Sequence, residues 1–320
     1  MTPVELVRSD SGIPVKRRKR TRITIHQVDA FTGTALTGNP AGVVADADGL
    51  TDEVMQQIAR EMSVSETAFL LPAPTSGADL QIRWFTPTTE VPLCGHATIA
   101  GFHVLAEEGM HGMRSAGVYD FKVETRSGIL PVRVVKESGG INVMLGLTPP
   151  KFARAGQYKL DAMRILNVNL DQIENRMPLV MTDSLFVPIK RLHTIYAMKP
   201  NFSSMNQFLA NRNLIGLCVF TTETVDRTSH IHSRFFAPPV GINEDPVTGS
   251  TNGPLGAYLA EFGKMKLEGD RVTFVGEQGD VIGRRGRVTI EIGLNREKKV
   301  KSVFIGGTAV TVLKGEMHLP

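Results

Sequence analysis

The chain has only two cysteines, Cys94 and Cys218, among its 320 residues. Two thiols exclude a disulfide framework and make a reducing cytoplasm the simplest expected home. There is no apolar run near the roughly 20 residues that a membrane-spanning helix needs. The first residues carry no apolar core of a secretory signal, so none is expected. A strong charge imbalance is also missing from the body of the chain. The net charge is +4, but residues 1–22 hold seven Lys and Arg against two acids, a net of +5, which leaves −1 for the rest. The basicity belongs to the tail, expected to be a solvated, partly disordered extension. Its KRRKR run is of a type that touches nucleic acid or anionic surfaces. Neither a nucleic acid nor a membrane is the expected partner.

What is present is a stretch written twice. Residues 83–109 read RWFTPTTEVPLCGHATIAGFHVLAEEG, and residues 234–263 read RFFAPPVGINEDPVTGSTNGPLGAYLAEFG. Arg83, Phe85 and Pro87 answer to Arg234, Phe236 and Pro238. After a three-residue insertion, Gly95, Leu105, Ala106, Glu107 and Gly109 answer to Gly249, Leu259, Ala260, Glu261 and Gly263. A period near 150 residues is too long for a solenoid and fits two homologous lobes. Each copy predicts a strand, a Pro-bearing loop and a helix. The helix segments are apolar or small on nearly every face, so both are expected to be buried. The starts Gly95-His96 and Gly249-Ser250-Thr251 offer cap residues, and Gly lets a ligand approach the backbone. A helix start has unpaired amides and partial positive charge. If both starts open on one cleft, they suit a carboxylate.

Other segments supply candidates. TRITIHQVDAF alternates like a strand. Asn39, in a Gly-Asn-Pro turn, is either a turn residue or a donor into the cleft. Residues 50–62 predict a surface helix capped by Thr51, with Val54, Met55, Ile58 and Met62 as its stripe. Glu66 follows, between Ser65 and Thr67, at the entry of the apolar strand AFLL. Desolvation there would raise its pKa towards the range useful to a general acid or base. From position alone, a surface turn Glu is the plainer reading. Residues 112–150 read as strands, residues 159–167 as a short helix, and LFVPIKRLHTIYAM as a strand. Cys218 reads as a core thiol. His230 and His232 share a strand face, but two imidazoles without a spaced Asp, Glu or Cys make no metal site. Gln278-Gly279 and Gly306-Gly307 read as turns or close-approach points.

Taken together, VDAFTGTALTGNPAGVV, SETAFLL, LCGHATIAG, EDPVTGS, GEQGDVIGRRGRV and IGGTAVTVLKGE resemble the PhzF family of phenazine-biosynthesis-like isomerases. These motifs lie in order between residues 28 and 316. The resemblance implies an α+β, diaminopimelate-epimerase-like fold, with two pseudo-symmetric lobes, each a curved, mostly antiparallel sheet around a central helix. The expected division is a basic extension over 1–22, lobe one over 23–149 and lobe two over 150–299, with the strand of 300–320 a candidate to return to lobe one. The resemblance implies a homodimer, no metal and no organic cofactor. It assigns proton transfer to Glu66, with His96 and Asp245 facing each other across the cleft. It assigns the holding of a small carboxylate-bearing substrate to Gly95, Gly249 and Ser250, to which Thr251, Ser65 and Asn39 are added as neighbours.

Proton transfer beside a carboxylate needs a base, an acid and fixed donors for the enolate-like charge, which this set offers. Asp245 is expected to fix the tautomer of His96. A Ser-His-Asp hydrolase is the misreading to avoid, since no G-x-S-x-G surrounds Ser250. Epimerases of this fold use a thiol from each lobe. Here Cys94 stands near the first position, and the second motif has no Cys. Thr251-Asn252 also replaces the family's frequent Ala-His. A two-thiol epimerase is therefore not expected, and the altered residues after Ser250, together with the basic tail, make a fold-retaining binding protein without turnover the competing expectation.

Overall fold

The computed structural model describes residues 4–8, 14–18, 20–263 and 269–320. Its α-helices are α1 (Asp52–Met62), α2 (Gly95–Glu107), α3 (Lys159–Leu166), α4 (Leu192–Ala197), α5 (Phe202–Ala210) and α6 (Gly249–Phe262). Helix α1 forms for local reasons. The Thr51 side chain accepts from the Val54 amide, Asp52 and Glu53 sit in the positive first turn, and Met55, Ile58 and Ala59 bury one face. Ser63 ends it in the left-handed region at φ 52°.

Helices α2 and α6 are of another kind. Every residue of α2 from Gly95 to Ala106 is buried, and α6 buries nine of its residues. Burying a large apolar side chain such as Ile99 or Phe102 contributes about 1.5–3 kcal/mol. Helix α2 packs on the strands Asn39–Val44, Glu66–Leu71 and Gly140–Leu147, and α6 on Arg271–Gln278 and Gly286–Leu294; both touch Val300–His318. Small residues allow this approach: a β carbon on Gly256 would stand 2.4 Å from Ile290. One core cluster contains both helices, a second lies under α3 to α5, and a third lies under α1.

The strand pairing repeats as the sequence does. Asn39–Val44 runs parallel to Glu66–Leu71, which pairs antiparallel with Leu80–Phe85. Ser184–Pro188 runs parallel to Gly216–Thr221, which pairs antiparallel with Ile231–Ala237. Leu80–Phe85 then takes a short antiparallel partner, Glu90–Val91, and a parallel one, Gly117–Thr125. Ile231–Ala237 does the same with Ile242–Asp245 and Arg271–Gln278. The side chains repeat too. Arg83 forks onto Glu90 through Nε and Nη2, each 2.8 Å from a carboxylate oxygen, and Arg234 forks onto Glu244 at the same two distances.

All these strands belong to one closed hydrogen-bonded network. The strand Val300–His318 ties it together. Its first part lies between Gly140–Leu147 and Gly286–Leu294, and its second part pairs with Arg22–Ala30.

Two expectations change. Within the basic tail, residues 4–8 and 14–18 pair as antiparallel strands, while residues 1–3, 9–13 and 19, over which the extension was expected to be loose, lie outside the described residues. The expected strand over 185–198 stops at Pro188, and α4 follows. The Glu223 carboxylate accepts from the Leu192 amide at 2.8 Å and holds Arg191 at 2.6 Å, so a distant residue supplies the helix cap. Among the described residues no helix is long and apolar enough to cross a membrane.

Candidate active site

The two core helices meet at their N-termini. A β carbon built on Gly95 would lie 3.5 Å from the Gly249 α carbon and 3.7 Å from the Ser250 nitrogen. The N-caps are Cys94 and Thr248, and neither side chain caps its helix. This differs from the expected Ser/Thr capping: the Thr248 hydroxyl donates to Asp245 Oδ2 instead. Two positive helix ends, without acids in their first turns, therefore face one region.

Around that region the sequence candidates gather. Glu66 opens its strand with its side chain 16% exposed, and Oε2 lies 3.4 Å from His96 Nε2. Ser65 Oγ lies 3.2 Å from the same nitrogen. Cys94 Sγ lies 3.4 Å from His96 Nδ1. Asn39 is fully buried and donates to Asp245 Oδ1 at 3.0 Å and to the Val247 carbonyl at 2.8 Å. It is thus a clasp between sequence-distant parts of the site. Ser250 is exposed, whereas Thr251 is 3% exposed.

His96 is bordered by Ser65, Glu66 and Cys94 and bonds to the Pro40 backbone, while the two Asp245 oxygens accept from Asn39 and Thr248. Among the described residues no hydrogen bond joins Asp245 to His96; the carboxylate acts on the ring through its charge.

Burial dominates the ionisation of all four groups. It pushes the Glu66 carboxyl up, with Ser65 and Cys94 opposing. It pushes Asp245 up, opposed by His96 and Thr248, and pushes the Cys94 thiol well up. It pulls His96 down, opposed by the charge of Asp245. The imidazole is thereby favoured neutral, and both carboxyls give up their protons less readily than they would in water.

Two supporting residues escaped the sequence reading. Gln278, read as a turn residue, is fully buried. Its Nε2 donates to the Asp245 carbonyl at 2.9 Å and to Thr248 Oγ1 at 3.0 Å, and its Oε1 accepts from the Thr248 amide at 3.1 Å and from Asn252 at 2.9 Å. All four hydrogen-bonding positions of the amide are used to hold the α6 start. The available signal was a pair of polar residues, Glu277-Gln278, closing an otherwise apolar strand. Glu277 is also the partner that His232 seemed to lack: Nδ1 to Oε2 is 2.9 Å, with both side chains fully buried.

A model of the family described as phenazine biosynthesis-like protein matches residues 28–315. An uncharacterized isomerase of Clostridium acetobutylicum is 40% identical over 304 residues, covering 93% of this chain and 99% of the relative. The crystal structure of a Bacillus anthracis phenazine biosynthesis protein of the PhzF family superposes with a TM-score of 0.83 at 34% identity, over 94% of this chain and all of that one. A hydroxyproline epimerase from Agrobacterium vitis shares the fold, with a TM-score of 0.63 at 14% identity over 94% and 92% of the two chains. These findings define the class as an isomerase on a diaminopimelate-epimerase-like fold. Within that class, the chain belongs to the phenazine biosynthesis-like, or PhzF, family.

Proposed function

We propose that the protein shifts a proton on a small carboxylate-bearing molecule, using only its own side chains as acid and base. The observation that carries this reading is the Glu66–His96 contact of 3.4 Å beside two abutting helix starts. Glu66 takes the proton from the carbon next to the substrate carboxylate. The charge that develops on the substrate oxygens is met by the first-turn amides at Gly95 and Gly249 and by the hydroxyl of exposed Ser250. His96, favoured neutral, receives or returns the proton through Nε2, which Ser65 orients. Asn39, Thr248 and Gln278 hold Asp245 and the second helix start in place.

The same reading takes the chain as two pseudo-symmetric lobes about the cleft. The matched Arg–Glu forks and the repeated parallel strand pairs support it.

The competing reading, a silent binding protein, drew on Thr251-Asn252. Asn252 is fully buried and bonds to the Thr248 carbonyl and to Gln278, so this departure is absorbed beneath the helix start. That favours turnover. Solvent deuterium wash-in on a panel of small carboxylates tests the proposal. Exchange lost in Glu66→Gln supports it. Exchange that survives undiminished in that variant, or is absent across the panel, rejects it.

A further inference from the structure

We propose that Glu66, Cys94 and His96 also form a binding site for one thiophilic divalent cation such as zinc, whose occupancy competes with proton transfer. The inference rests on geometry and donor chemistry, so its failure would leave the isomerase reading untouched. A thiol sulfur, an imidazole nitrogen and a carboxylate oxygen lie within 4.8 Å of one another, the one such group among the described residues. Tetrahedral zinc, with bonds of about 2.0–2.3 Å, spaces its donors about 3.2–3.8 Å apart.

Cys94 Sγ and His96 Nδ1 are already 3.4 Å apart. They stand at the N-cap and second residue of α2, so the buried helix fixes their separation. If Nδ1 takes the metal, Nε2 is left facing Ser65 Oγ at 3.2 Å, the kind of outer partner that metal-bound histidines keep. The Glu66 carboxylate touches the thiol and, at 3.4 Å, the other ring nitrogen, Nε2, so it must turn from Nε2 to join a metal held on Nδ1, within a group whose donors all lie inside 4.8 Å. Its side chain is 16% exposed, so the group borders solvent on the Glu66 side.

The donor set also chooses the ion. Sulfur and nitrogen ligands suit zinc or cadmium, whereas magnesium prefers oxygen alone and keeps its waters. Loading requires displacement of the Cys94 proton, and a metal-bound Glu66 can no longer accept a proton from substrate. The buried His232–Glu277 pair has no third donor in reach among the described residues and is no rival site.

The test uses full-length, untagged, metal-stripped protein. Zinc binding is followed by calorimetry and cadmium binding by its thiolate charge-transfer absorption. The expected result is one equivalent of either ion, a charge-transfer band, and no uptake of magnesium. Cys94→Ser should remove the band and weaken zinc by about 100-fold or more, the upper end of what even an outer-shell loss costs. Cys218→Ser, which alters a core thiol, should change neither. If circular dichroism shows that Cys94→Ser does not fold, Glu66→Gln should keep the band and weaken zinc by about 10-fold. No band in the wild type, a band that survives Cys94→Ser, or zinc affinity unchanged in Glu66→Gln would overturn the proposal.

Discussion

A β carbon placed on Gly249 would stand 3.7 Å from the α carbon of Gly95. The two helix starts thus lie about one methyl group's width apart, although 154 positions separate them in the chain. Side chains of ordinary size would hold the helices apart. With glycine at both places, the first-turn amides of each helix border a shared space.

Glu66→Gln should reduce turnover by about 10²–10⁴-fold, the usual contribution of a positioned base. Far-ultraviolet dichroism and the unfolding midpoint should stay close to wild type, because the amide is isosteric. Wash-in of solvent deuterium into substrate is the readout.

The pH dependence has a defined sign. Glu66 must be ionised to act, and burial raises its pKa, so the acid limb of kcat/KM should lie above the ordinary glutamate value of about 4.3. A carboxyl raised on folding contributes stability below its unfolded pKa and loses that contribution as pH rises through its folded pKa. The decline due to Glu66 should therefore vanish in Glu66→Gln, as seen in urea titrations at stepped pH. His96 acts oppositely: its lowered pKa contributes above about pH 6.5 and is lost as pH falls through the folded value.

Two glycine substitutions should separate stability from activity. On Gly306 a methyl would lie 2.1 Å from the Val143 carbonyl oxygen, which is backbone. Gly306→Ala should cost about 3 kcal/mol, the upper end for overpacking, by forcing Val300–His318 off Gly140–Leu147. On Gly95 the nearest atom is 3.4 Å away, so Gly95→Ala should cost under about 1 kcal/mol yet lower turnover by obstructing the helix starts. Denaturant midpoints and initial rates check the pair.

The matched Arg–Glu forks should differ in worth. Arg234 and Glu244 are 6% and 11% exposed, and Arg234 Nη1 also donates to the Ile195 and Met198 carbonyls. Arg83 is 18% exposed and shares itself with Asp52, which is 69% exposed. Arg234→Met should cost about 3–5 kcal/mol because it strands a buried carboxylate. Arg83→Met should cost roughly half as much, on the scale of hydrogen bonds to charged groups. Urea midpoints of both variants decide the order.

Gln278→Leu should lower kcat by about 10-fold with little change in KM. It releases Thr248 and the Asp245 backbone while leaving the substrate-facing groups in place. Rescue by Gln278→Glu is not expected, since a carboxylate lacks the donors that Nε2 supplies. Steady-state kinetics of the two variants check this.

Much of this molecule was legible because its signals repeat or are local. The Arg83 and Arg234 segments announced themselves as copies. The unstriped helices at 95 and 249 told of burial, and Thr51 with its acids told where α1 begins. Glu66, His96 and Asp245 could be picked out from motif context, and the structure places them in one region. What stayed hidden depends on contacts across the chain. Helix α4 needs Glu223, thirty-one residues away, as its cap. His232 needs Glu277 from a neighbouring parallel strand. Asp245 was assigned to His96, but its oxygens are claimed by Asn39, which lies 206 residues earlier, and by Thr248. Local pattern cannot rank such competing partners, because burial chooses among them only after the sheets have closed.

The strand Val300–His318 sets a limit on how the protein is made. Its final residues bond to the segment near residue 22: His318 aligns with Arg22 and Met317 with Ile23. During synthesis the edge at Arg22–Ala30 therefore stands without this neighbour until residues 309–318 have been made. So distant a pairing delays closure, because chain entropy must be lost before the contact stabilises anything. The newborn polypeptide passes through a stage with an open β edge, where chaperones or a second copy would find it.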